Sequence, residues 1–298
     1  MSSPRSSSLA VFALILLSLI WGYNWVVLKK VLAYVDPFDF SAIRTILGAA
    51  MLFVVLAVLR RPLALAAPRQ MLLLGLLQTA AFTALIQWAV VAGGAGKTAV
   101  LVYTMPFWVI PMAWFGLGER VSVPQWVALA IAACGLALVL EPWALRGSPV
   151  SSALALGAGL TWAAAVVLAK RMRREREFDL LALTAWQMLF GALALCVVAV
   201  LLPSRPIDPT PYFYGALVFN AVFATGLAWL LWLYVLQRLS AGMAGLSALC
   251  IPMVGVLAGW VELGERPSRT EFGGMLMIGC ALVLTSLWSL WQVRRVRR

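Results

Sequence analysis

The polar side chains available for chemistry inside the long apolar runs of this chain are few and mostly neutral. They are Asn24, Gln78, Gln87, Gln187, Asn220 and Ser247, interleaved with Trp21, Phe82, Trp88, Tyr103, Phe107, Trp162 and Trp186. Trp21 and Asn24 stand three residues apart, Gln78 and Phe82 four apart, and Tyr103 and Phe107 four apart, so each pair shares one face of a helix. An amide in hydrocarbon costs several kcal/mol unless it is hydrogen-bonded, so each must face a cavity or a partner helix. Aromatic walls with a few amides and hydroxyls suit non-covalent binding of a neutral or zwitterionic amphipathic molecule. Covalent chemistry lacks its parts. There is no His, and the four Cys each sit alone in apolar sequence without C-x-x-C spacing, so neither a metal, a cofactor nor a catalytic triad is implied. Ser247 and Lys97 do not make a convincing nucleophile–base pair, and an intramembrane enzyme is the disfavoured alternative. All eleven Asp and Glu fall at helix ends or in loops, away from where a proton or sodium relay needs a carboxylate. Arg44 is the one deep cation, and its sequence context predicts snorkelling to the interface.

These side chains are positioned by membrane helices. The chain has 298 residues, 63% hydrophobic and 11% charged, against roughly 45–50% and 25% in soluble domains. The charges cluster between long uncharged runs, which leaves no room for a second, soluble domain. Ten apolar segments of about 20 residues are expected near 9–27, 39–59, 71–92, 97–116, 123–140, 152–170, 180–202, 212–236, 241–262 and 270–291. The first resembles a signal peptide but lacks a small-x-small cleavage site and reads as a retained helix. Fifteen Lys and Arg fall on the side of the termini and seven on the other, which predicts cytoplasmic termini. The net charge of +12 comes from residues flanking apolar segments, so anionic lipid head groups are the expected partner and nucleic acid is not. Trp143, Trp288 and Trp291 fit interfacial anchoring.

The two halves of the sequence repeat. Ala95-Gly96, Pro106, Leu117-Gly118-Glu119-Arg120, Ser122 and Cys134 recur as Ala241-Gly242, Pro252, Leu263-Gly264-Glu265-Arg266, Ser268 and Cys280, all at an offset of 146. Trp21 recurs as Trp162 and Lys29-Lys30 as Lys170-Arg171 at an offset of 141. A five-helix unit duplicated in tandem must enter the membrane from opposite sides. The expected fold is therefore an all-α integral membrane protein whose ten transmembrane helices form two inverted five-helix repeats, residues 1–147 and 148–298, around a central cavity. Pro106 and Pro252, with Gly242 and Gly245 nearby, are the candidate hinges. The Gly-Glu-Arg turns read as helix punctuation.

The Gly-Glu-Arg after the fourth and ninth helices, the proline inside each, and the opening helix with Trp21-Gly22 resemble the drug/metabolite transporter superfamily with two EamA-type domains. Within it the chain is most similar to the bacterial exporters of aromatic and other hydrophobic amino acids. The resemblance implies a transporter in the bacterial inner membrane with ten helices and a central substrate cavity. The expected cavity residues are Trp21, Asn24, Gln78, Phe82, Trp88, Tyr103, Phe107, Trp162, Trp186, Gln187 and Ser247. Alternating access is what inverted repeats imply, and the missing membrane carboxylates leave two readings open, facilitated movement without a coupling ion and coupling through the substrate's own charge state or loop carboxylates. Export of drugs or other neutral metabolites is the alternative. One chain holds both halves, so a monomer suffices.

Overall fold

A computed structural model describes residues 4–93, 98, 101–140, 148–264 and 268–296. Ala95, Gly96, Lys97, Trp143, Glu265 and Arg266 lie outside the described residues, as does the side chain of Trp291. Everything described is helix or connection, with no strand among the described residues. That is the expected outcome for a backbone that must bond itself in lipid.

The helices are α1 (Pro4–Val31), α2 (Pro37–Val58), α3 (Pro68–Gly75), α4 (Phe82–Gly93), α5 (Met105–Leu117), α6 (Val123–Leu140) and α7 (Pro149–Glu175). They continue as α8 (Leu180–Leu201), α9 (Pro211–Val218), α10 (Ala228–Arg238), α11 (Ala241–Ser247), α12 (Cys250–Leu263) and α13 (Arg269–Val296). Two π-helical segments, Leu76–Ala81 and Phe219–Leu227, join α3 to α4 and α9 to α10. Among the described residues, seven helical stretches are long and apolar enough to cross a membrane, and Met105–Leu117 and Val123–Leu138 are shorter apolar helices.

Local sequence explains the ends. Pro37, Pro149 and Pro211 each open a helix, where a missing N–H costs nothing. Asp179 accepts from Ala182 N at 2.9 Å and Thr210 from Phe213 N at 3.2 Å, capping α8 and α9. Gly118 and Gly264 end α5 and α12 with φ of 64° and 71°, a left-handed conformation that favours glycine. The Gly-Glu-Arg turn is thus a helix stop. Glu119 also ties elements together: it accepts from Ala241 N at 2.9 Å and pairs with Lys170 at 3.6 Å and Arg174 at 3.8 Å.

Packing is interleaved. α1 lies against α10 and α12, α2 against α8 and the second π segment, and α4 against α7. α3 and the first π segment lie against α8, α5 against α7 and α11, and α6 against α13. Close approaches set this geometry. An ideal Cβ on Gly75 would fall 2.3 Å from Gln187 O, and one on Gly48 2.9 Å from Ala221 O.

The fourth and ninth helices differ from expectation. Tyr103 and Thr104 form a turn before α5, and α11 ends at Ser247 before α12 begins at Cys250. Pro106 and Pro252 therefore sit in the first turn after a break and do not bend a continuous helix, because proline is tolerated where the N–H has no intrahelical acceptor. Pro111 lies inside α5. Gly242 and Gly245 face the same helix: Cβ atoms there would meet Ile110 at 3.3 Å and Val109 at 2.9 Å, so both glycines seat α11 on α5.

Candidate functional site

A cavity of about 140 Å³ runs from the middle of α1 to its C-terminal end, between both halves of the chain. From α1 and the residue just after it the cavity receives Trp21, Asn24, Trp25, Leu28, Lys29 and Leu32, a stripe at helical spacing. The first π segment and α4 present Thr79, Phe82, Thr83, Ile86, Gln87 and Val90, a second such stripe. Arg44 and Thr45 come from α2, Tyr103 from the turn before α5, Trp162 from α7, Ala224 and Thr225 from the second π segment, and Trp229 from α10.

The inner end is aromatic. Trp21 packs edge-on against Trp229 at 4.9 Å and Trp162 at 5.9 Å, while Phe82 lies 5.2 Å from Trp162 and 6.1 Å from Trp229. Trp232 closes the cluster behind, 5.4 Å from Trp162 and fully buried. Aromatic pairs of this kind each contribute about 0.5–1.5 kcal/mol beyond area burial. Hydrogen bonds fix the rings. Trp21 Nε1 donates to Ala224 O at 2.9 Å, a carbonyl in the second π segment, and Trp25 Nε1 donates to Tyr103 Oη at 2.8 Å.

Toward the other end the wall is polar. Gln87 Nε2 donates to Ser41 Oγ at 2.7 Å. Beside the aromatic cluster, one turn before Phe82, Thr79 Oγ1 donates to Gln187 Oε1 at 3.0 Å, linking the first π segment to α8. Arg44 Nη1 donates to Asn220 Oδ1 at 3.0 Å, and Asn220 Nδ2 donates to Ala216 O at 3.1 Å. Arg44 stands seven residues into α2, about 10 Å along the axis. The expectation that it snorkels away is therefore corrected: its guanidinium is held on Asn220, and it lines the cavity.

Of the residues expected from sequence, Trp21, Asn24, Phe82, Tyr103 and Trp162 meet in this cavity. The others stand elsewhere. Gln78 is fully buried off the lining, and neither amide atom has a partner. Gln187 is fully buried behind Thr79. Trp88 faces outward against Phe38, and Trp186 packs on Phe53 and donates to Leu63 O at 3.1 Å in the connection between α2 and α3. Phe107 packs against the core and Ser247 closes α11, both off the lining. Sequence reasoning missed Trp25, Thr79, Thr83, Trp229 and the cavity-facing Arg44. For Trp25, Thr79 and Thr83 the signal was present, as i, i+4 neighbours on the two stripes.

A second cavity, about 390 Å³, lies where α5, α6, α10 and α11 meet, lined by Glu119, Arg120, Gln125, Arg238 and Trp288 among others.

Two stretches of the chain, residues 8–141 and 150–287, match the EamA-like transporter family. The chain belongs to the EamA-like transporter family. It is accordingly a multi-pass membrane protein of a transporter family carrying two EamA domains. Among relatives, it is 27% identical to the uncharacterized transporter YoaV of Bacillus subtilis, over 93% of this chain and 96% of that protein. It is 26% identical to a probable amino-acid metabolite efflux pump of Salmonella typhimurium, over 96% and 97%. A similarly named protein of Escherichia coli is 25% identical, over 93% and 95%. A solved crystal structure superposes with a TM-score of 0.81, covering 98% of this chain and 99% of its own at 18% identity, and so shares the fold.

Proposed function

We propose that this EamA-family protein exports aromatic and other hydrophobic amino acids across the bacterial inner membrane by alternating access, without a coupling ion. The observation that carries the reading is the aromatic end of the cavity, where Trp21, Phe82, Trp162 and Trp229 face a polar wall of amides and hydroxyls. An apolar side chain fits the first and the amino-acid backbone the second. The efflux-pump names of the relatives support the direction and the substrate class.

Alternating access is read as rocking of two inverted five-helix repeats, residues 1–147 and 148–298, through ten spans with cytoplasmic termini. The packing supports it. α1 on α12 is matched by α7 on α5, and α2 on the second π segment by α8 on the first. The breaks at Tyr103–Thr104 and Ala248–Leu249 are the flexing points, and Pro106 and Pro252 keep the adjoining segments from fusing. In this orientation the cavity reaches the outer face, and Glu119 holds the inner face shut through Ala241, Lys170 and Arg174.

Uptake of labelled Trp, Phe, Met, Thr and Lys into proteoliposomes, with and without a proton gradient, tests the proposal. Saturable uptake of the apolar amino acids that ignores the gradient is expected. Gradient-dependent uptake overturns the uncoupled mechanism, and no movement of any amino acid overturns the substrate class.

A further inference from the structure

We propose that Arg44 is the carboxylate receptor of the cavity, so that transported molecules carry an aromatic or apolar group together with a carboxylate. The inference deepens the amino-acid reading and rests on this cavity being the transport site. Arg44 is a guanidinium inside a largely apolar bundle, and among the described residues no Asp or Glu pairs with it. A charge at that depth is retained where it serves a path or a ligand.

Its surroundings leave one edge of the fork without an acceptor. Nη1 donates to Asn220 Oδ1 at 3.0 Å, while Nε is buried with no acceptor. The Nε–Nη2 edge is the one that takes a carboxylate side-on through two parallel hydrogen bonds. A carboxylate there would neutralise the charge and supply the missing acceptors. Its apolar group could then extend along the same wall toward Trp21 and Phe82, which line the same cavity.

The other half of the chain indicates that packing alone does not require an arginine here. Gly48 on α2 lies against Ala221 and Thr225 of the second π segment, and Gly191 on α8 lies against Thr79 of the first. Four residues before each glycine stand Arg44 and Gln187, and each donates to or accepts from the opposing helix: Arg44 with Asn220, Gln187 with Thr79. A neutral amide does this work in one half. The positive charge in the other half is surplus to packing and faces the cavity.

The test uses the full chain in detergent and in proteoliposomes. Binding is read from quenching of cavity tryptophan fluorescence, and two acid–amide pairs are compared, phenylalanine with phenylalaninamide and phenylacetate with phenylacetamide. The wild type should prefer the acid in both pairs by about 10- to 100-fold, the worth of a charged hydrogen-bonded pair. Arg44→Gln should erase the preference while leaving amide binding within about threefold, and Arg44→Lys should restore part of it. Asn220→Asp, which places a carboxylate on the guanidinium, should weaken both acids and spare both amides. This variant decides the matter where Arg44→Gln does not fold. No acid preference in the wild type overturns the proposal, as does a preference that survives Asn220→Asp or Arg44→Gln. Uptake of phenylacetate with none of any amino acid would retain Arg44 as receptor and overturn the amino-acid reading alone.

Discussion

Gly191→Ala should both destabilise the protein and weaken substrate binding, because one methyl group would sit where α8 meets the first π segment. An ideal Cβ at that position lies 2.3 Å from Thr79 Cβ, 2.6 Å from its Cγ2 and 2.7 Å from Gly75 O. Carbon atoms pack best at about 3.5–4.0 Å, so the two segments must part by about 1 Å. Overpacking of this kind costs about 1–3 kcal/mol, while alanine's better helix propensity returns up to about 1 kcal/mol. The net loss is about 1–2 kcal/mol, or a fall in Tm of about 2–6 °C. Thr79 lines the cavity and bonds Gln187, so the displacement reaches the site. Gly215→Ala is the control, since nothing lies within 4 Å of a Cβ there. Both variants are melted in detergent and assayed for phenylalanine affinity. Gly191→Ala that melts with Gly215→Ala and binds like the wild type would refute the reasoning.

Three further outcomes follow from the geometry. Glu119→Gln removes the charge shared by Lys170 and Arg174 next to Ala241 N, and should raise the reactivity of cysteines placed in the second cavity toward a thiol reagent several-fold. Pro106→Ala and Pro252→Ala should slow transport severalfold at unchanged affinity, because an alanine N–H lets the broken segments fuse. Normal rates in proteoliposomes would argue against the hinge. Trp229→Ala removes ring contacts to Trp21 and Phe82, and should raise the KM for aromatic substrates about tenfold while leaving that for Thr within about twofold.

Much of this was legible from residue spacing. The stripe Trp21, Trp25, Leu28, Leu32 and the stripe Thr79, Phe82, Ile86, Val90 follow helical periodicity, and both line the cavity. The repeated Leu-Gly-Glu-Arg announced two helix stops, and Gly118 and Gly264 make them with positive φ. The π segments left no such trace. Gln78 stands beside the stripe that Thr79 begins, one position before it, and is buried off the lining. Trp88 and Trp186 show that an aromatic at mid-run is a poor guide to direction, since partner helices alone decide which face is inward. Arg44 was misread because its anchor, Asn220, lies 176 residues away in sequence.

The central claim, that one aromatic-ended cavity opens in turn to each side of the membrane, is tested most directly by thiol labelling. In a background with Cys134, Cys196, Cys250 and Cys280 replaced by Ala, Thr83→Cys places one thiol on the cavity wall. A membrane-impermeant reagent is applied to right-side-out and inverted vesicles, with and without phenylalanine. Labelling from both sides, slowed by phenylalanine in each case, is the predicted result. Labelling from one side alone, or labelling that phenylalanine leaves unchanged, would contradict the account.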